Sequence, residues 1–66
     1  MRVQVNGHDV DVAAGATVAD ALTAVGAPAT GVAVALDGAV VPRGAWASTA
    51  LREGATVEVL TAVQGG

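Results

Sequence analysis

Asn6-Gly7 separates two short runs of alternating polarity, Arg2-Val3-Gln4-Val5 before it and His8-Asp9-Val10-Asp11-Val12 after it. Asn-Gly is the strongest short hairpin signal, because both central positions of a type I′ turn require positive φ. A two-residue turn fixes the register. Val5 faces His8, Gln4 faces Asp9, Val3 faces Val10 and Arg2 faces Asp11. The side chains then sort by face without conflict. Met1, Val3, Val5, Val10 and Val12 point one way, and Arg2, Gln4, Asp9 and Asp11 the other. Arg2 opposite Asp11 is a favourable cross-strand pair. The chain therefore starts as a hairpin with one apolar face that something else has to cover.

What covers it is limited by size. A chain of 66 residues forms one domain at most, and a core that small is marginal without disulfides, metal or close packing. There is no cysteine, which excludes disulfides, thiolate metal sites and any acyl or sulfur group carried on a side-chain thiol. A single histidine cannot build a metal site either, and no metal is expected. Lysine is also absent, which excludes Schiff-base chemistry and self-conjugation through a lysine amine; the cations are Arg2, Arg43 and Arg52. The net charge of -3 argues against nucleic acid, which calls for a basic patch. It suits solubility or docking on a basic protein surface. No apolar run reaches bilayer-spanning length and the start reads as a strand, not a signal peptide, so the expectation is a cytoplasmic protein with no membrane partner.

After a connector at Ala13–Ala16, Thr17 reads as a helix N-cap with Asp20 in a capping-box position. Val18, Ala21, Leu22 and Val25 follow the spacing of a buried helical stripe, Gly26 is the stop and Pro28 prevents continuation. Gly31 to Leu36 is the most apolar run and reads as a central strand, with Val32, Val34 and Leu36 on one face and Ala33 and Ala35 on the other. Asp37-Gly38 is a second turn, and Ala39–Val41 a short strand that Pro42 ends. Pro42 to Leu51 has no clean period; a helical turn is expected at Ser48 to Leu51. Ala55 to Leu60 is the last strand, with Val57 and Val59 toward the core.

The order is strand, strand, helix, strand, short strand, strand. It predicts an α+β chain, a ubiquitin-like β-grasp: a mixed four- to five-stranded sheet with one helix packed on one face and the last strand beside the first. The expected division is a folded domain over residues 1–62 and a flexible tail over residues 63–66, since termini that pack into nothing are usually mobile. The tail, Val63-Gln64-Gly65-Gly66, carries no charged side chain and ends in two glycines.

Several segments together resemble a known family. They are Val-Val-Pro-Arg at 40–43, Trp46-Ala47, Leu51, the run Arg52-Glu53-Gly54-Ala55-Thr56-Val57-Glu58-Val59-Leu60, and Thr61-Ala62-Val63-Gln64-Gly65-Gly66. In this combination the chain resembles the sulfur carrier proteins of thiamine biosynthesis, the ThiS family. The likeness is closest over the last 27 residues or so, and the order of elements agrees throughout.

The resemblance implies a carrier rather than an enzyme. An E1-like, ThiF-like adenylyltransferase would use ATP to activate the Gly66 carboxylate. Sulfur from a cysteine desulfurase or another persulfide donor would displace AMP and leave a thiocarboxylate. A ThiG-like thiazole synthase would take that sulfur. The carrier itself would bind no cofactor. Val63, Gln64 and Gly65 would be the grip and hinge by which partners hold the tail. Two other carriers share the fold and the Gly-Gly end: the small subunit of molybdopterin synthase and ubiquitin-like modifiers. A binding module with an inert tail is the remaining reading.

A carrier also needs a docking face. By strand parity Arg2, Gln4, Ala33, Ala35, Glu58 and Leu60 share the side of the sheet away from the helix, where small apolar residues mixed with charge suit a reversible interface. The other chemistry-bearing residues read blandly. His8 is a solvated residue at a turn with no nucleophile near it. Asp9 and Asp11 form a solubilising face, Trp46 covers a core edge, and Arg43 and Arg52 lie on the surface.

Overall fold

The computed structural model describes residues 1–28 and 30–61. Strands β1 (Arg2–Val5) and β2 (His8–Asp11) form the expected hairpin in the expected register, Val5 opposite His8 and Arg2 opposite Asp11. The turn takes the backbone that its two residues favour, with φ of 52° at Asn6 and 81° at Gly7. Helix α1 (Val18–Ala24) follows. Its start is a complete capping box: Thr17 Oγ1 accepts from the Asp20 N–H at 3.3 Å, and Asp20 Oδ2 accepts from the Thr17 N–H at 2.9 Å.

The chain continues through β3 (Val32–Leu36), β4 (Ala39–Val40), a 3-10 helix (Arg43–Ser48) and β5 (Thr56–Thr61). The strands form one sheet in the order β2-β1-β5-β3-β4. The last strand lies between the first and the third, parallel to β1 and antiparallel to β3. This mixed sheet with a single α-helix on one face is the ubiquitin-like β-grasp.

The core follows from strand parity. Val3, Val34 and Val57 point from the three central strands toward α1, which returns Val18, Ala21 and Leu22. Val3, Val18 and Val57 have no solvent exposure at all. Burial of these aliphatics is the main stabilising term in a chain with no cross-links. Trp46 closes one edge of the core. Its indole N–H donates to the Val41 carbonyl at 2.9 Å, so the ring is buried with its polar atom satisfied.

Two expectations are corrected. Thr49 to Leu51 is not helical; the helical segment lies earlier, at Arg43–Ser48, directly after Pro42, and shares only Ser48 with the expected turn. The backbone of 49–51 is used elsewhere. Thr49 O accepts from Val18 N, Leu51 N donates to Ala16 O, and Ala50 bridges Thr17. These bonds tie the segment entering α1 to the segment leaving the 3-10 helix, and a helical turn would break them. Val25 does not complete the buried stripe. The helix ends at Ala24, Val25 is its C-cap, and the side chain is 42% exposed. Among the described residues no helix is long and apolar enough to cross a membrane, and no group of His, Cys, Asp and Glu could hold a metal ion.

Candidate functional site

Strand β5 runs to Thr61, the last of the described residues, and the expected chemistry lies further along the sequence. Two polar side chains, Asp37 and Asn6, bond to β5 along its length, and a third, Glu53, ties β1 to the turn before β5. At its entry the Glu53 carboxylate accepts from the Arg2 N–H at 3.1 and 3.2 Å, and Gly54 N–H donates to Arg2 O. Next, Asp37 Oδ1 accepts from Thr56 N–H at 2.9 Å, while Asp37 N–H donates to Thr56 O at 2.8 Å. Near the exit, Asn6 Oδ1 accepts from Val59 N–H at 2.8 Å and Asn6 Nδ2 donates to Val59 O at 3.2 Å.

This last pair continues the parallel β1–β5 contact after β1 has turned away. A carboxamide has one donor and one acceptor side by side, as a peptide unit does, so it can stand in for the missing strand. Asn6 therefore does two things: it opens the hairpin turn and it fixes the end of the strand from which the tail departs.

The open face of the sheet places the expected docking residues in two groups. Ala33 lies opposite Leu60 and Ala35 opposite Glu58, close to the exit. Val40 lies opposite Ala35 and extends this strip, with 78% of its surface exposed. Leu60 is 65% exposed. Arg2 and Gln4 share the face but not the place. Gln4 lies opposite Thr56, four residues before Leu60 and about 13 Å away along the strand. Both are also engaged elsewhere. Arg2 Nε donates to Asp11 Oδ1 at 3.1 Å, and Gln4 Nε2 reaches Asp9 Oδ1 at 3.5 Å. The Arg2–Asp11 hydrogen bond, aided by their opposite charges, holds the Asp11 carboxyl below its ordinary range and raises Arg2. Both side chains remain largely in solvent.

The residue missed by sequence reasoning is Val40. Its signal was available: a two-residue turn at Asp37-Gly38 sets Val40 opposite Ala35, and directly opposed residues share a face. His8 is exposed, Trp46 is buried and Arg43 and Arg52 lie on the surface, in accord with their bland readings. Val63, Gln64, Gly65 and Gly66 lie outside the described residues.

The sequence model of the ThiS family matches residues 3–66. The chain belongs to the ThiS family. The match runs through the Gly-Gly end, so the stretch with the expected chemistry falls inside the family's own span. A crystal structure of a thiamine biosynthesis protein, ThiS, from Geobacter metallireducens is similar at a TM-score of 0.84 and 36% identity, covering 100% of each chain. A solution NMR structure of a thiamine biosynthesis protein from Geobacter metallireducens is similar at a TM-score of 0.76 and 38% identity, covering 100% of this chain and 88% of that one. Comparison with curated proteins finds no match. At this identity and coverage the ThiS likeness spans the whole β-grasp, including β5 and its exit.

Proposed function

We propose that this ThiS-family chain is a sulfur carrier of thiamine biosynthesis, and that Gly66 is the atom-bearing end of the carrier. The observation that carries the reading is the family match extending to residue 66, over a fold whose central strand leads directly into that end. The chain acts as a co-substrate and catalyses nothing itself.

A free carboxylate is a poor acyl donor because oxide is a poor leaving group. In the proposed cycle a Gly66 oxygen attacks the α-phosphorus of ATP on a ThiF-like adenylyltransferase, and pyrophosphate leaves. The acyl-adenylate then has AMP as its leaving group. A persulfide sulfur from a cysteine desulfurase or another donor attacks the carbonyl carbon and AMP departs; a second thiol then attacks the donor's own sulfur in the acyl disulfide, so that a disulfide forms and the thiocarboxylate leaves. A ThiG-like thiazole synthase takes up that sulfur. The cytoplasm is where the cycle is proposed to run.

The residues suit this work for simple reasons. Positioning the carboxylate in line with the α-phosphorus is most of the catalytic task. Gly66 has no Cβ to crowd the phosphate or the incoming sulfur, and Gly65 gives the backbone freedom to enter a narrow channel. Val63 offers an apolar contact, and Gln64 an amide that can hold register. The folded domain of residues 1–62 supplies the handle, with Leu60, Ala33, Ala35 and Val40 as the apolar part of its docking face and Glu58 as the charge beside them.

ATP–pyrophosphate exchange by the adenylyltransferase, with the carrier as the varied substrate, tests the reading. Gly66→Ala is expected to fold normally and to slow exchange sharply. An unchanged rate would refute the role given to Gly66.

A further inference from the structure

On the helix side of the sheet, at the same exit, lies a groove of about 380 Å³ whose wall includes Thr61 itself. Its other lining is largely aliphatic: Val5, Val25, Val32 and Val59, with His8 at the rim. Of these, Val25 is the C-cap of α1 and is 42% exposed. Asn6 also borders the groove, but its carboxamide is occupied at both ends by Val59. The walls thus offer apolar surface and few free polar groups. The strand exit is flanked by exposed hydrophobics on both faces, Leu60 on the open side and Val25 on the helix side.

We propose that this groove receives an apolar side chain from the rim of the adenylyltransferase channel that takes up the tail. The inference rests on the carrier reading of Gly66. Its geometric basis is the length of chain beyond Thr61. Five residues, Ala62 to Gly66, span at most about 17 Å when fully extended. An active site that encloses Gly66 and grips Val63 and Gln64 brings its mouth to within a residue or two of Thr61. Its rim must therefore press on whatever surrounds Thr61. On one side that is the Leu60–Ala33 strip, and on the other it is this groove. Burying an exposed valine and filling an aliphatic recess favours a leucine-, methionine- or phenylalanine-like group over a charged one. The partner then clasps the strand exit from both faces, which fixes the direction in which the tail enters.

Val25→Arg tests this in the exchange assay. Val25 is half in solvent, and a cation at a helix C-terminus is tolerated, so the variant is expected to fold; Trp46 fluorescence checks that it does. The expected result is a KM for the carrier raised about tenfold or more, with kcat at saturation kept within about twofold, and a smaller rise for Val25→Ala. An unchanged KM in a folded Val25→Arg variant would overturn the proposal. A lowered KM would also overturn it, because the groove would then hold the chain's own tail. Wild-type self-association that Val25→Arg abolishes, with KM unchanged, would assign the groove to a second copy and overturn it as well. Absence of exchange with the wild-type carrier would instead remove the Gly66 reading, and this proposal with it.

Discussion

Asn6 is the residue on which the turn, the sheet and the tail exit all depend, and its replacement gives a graded series. Asn6→Gly keeps a residue at home with φ near 52° and removes the carboxamide. The two bonds lost, at 2.8 and 3.2 Å to Val59, are exposed, so water can satisfy the freed backbone groups. Each is then worth about 0.5–1 kcal/mol, and the pair roughly 1–2 kcal/mol. Asn6→Ala loses the same bonds and adds a Cβ in the left-handed region, about 1 kcal/mol more. Asn6→Asp keeps the acceptor for Val59 N–H but sets a carboxylate oxygen against Val59 O, where a donor stood. The expected order of stability is wild type, then Asp and Gly together, then Ala. For a domain of this size the Gly variant should melt roughly 5–15 °C lower. The assay is urea unfolding followed by fluorescence of Trp46, the one tryptophan, which is buried against Val41. If Asn6→Gly matched wild type within about 0.3 kcal/mol, the carboxamide would not be holding β5, and the account of the exit would fail.

Three further outcomes follow from the same geometry. Trp46→Phe removes the donor to Val41 O and leaves a buried carbonyl unpaired, so it should cost about 2–3 kcal/mol, measured by thermal melting in far-ultraviolet circular dichroism. The folded-state pKa of Asp11 lies below its ordinary value, so the Arg2–Asp11 pair contributes stability above the unfolded-state pKa and loses it as pH falls through the folded-state one. The melting difference between wild type and Asp11→Asn should therefore be present at neutral pH, close at strongly acid pH and shrink in high salt; a difference independent of both would contradict it. Leu60→Arg on the open face should change stability by less than about 0.5 kcal/mol, since Leu60 is 65% exposed, while raising the carrier KM in pyrophosphate exchange; an unaltered KM would take Leu60 out of the docking face.

Features written in neighbouring residues were legible without the structure. Asn6-Gly7 and Asp37-Gly38 both take the positive φ that their turns demand, and the parity of the strands then assigns nearly every core valine. Thr17 and Asp20 form the capping box at the spacing that suggests one. Features that depend on distant partners were not legible. The Glu53, Asn6 and Asp37 side chains reach β5 or its neighbour across separations of 51, 53 and 19 residues, and no local pattern encodes such a bond. The helical turn lies earlier than the sequence suggests because Thr49 to Leu51 gives its backbone to Ala16–Val18, again a long-range choice.

The candidate site divides in the same way. Its Gly-Gly end is a local motif, and the open face follows from alternation. The distance of Arg2 and Gln4 from the exit depends on which strands become neighbours, as does the groove that Val25 shares with Thr61. Val25 itself was misassigned because the helical period continues on paper for one residue beyond the turn at which the helix stops.

The central claim is chemical, and the most direct measurement is the intact mass of the carrier after incubation with ATP, its adenylyltransferase and a persulfide donor under anaerobic conditions. The account predicts a species heavier by the difference between one sulfur and one oxygen atom, with the added mass on the C-terminal peptide that ends in Gly66. A carrier that remains an unmodified carboxylate with all three components present would contradict it.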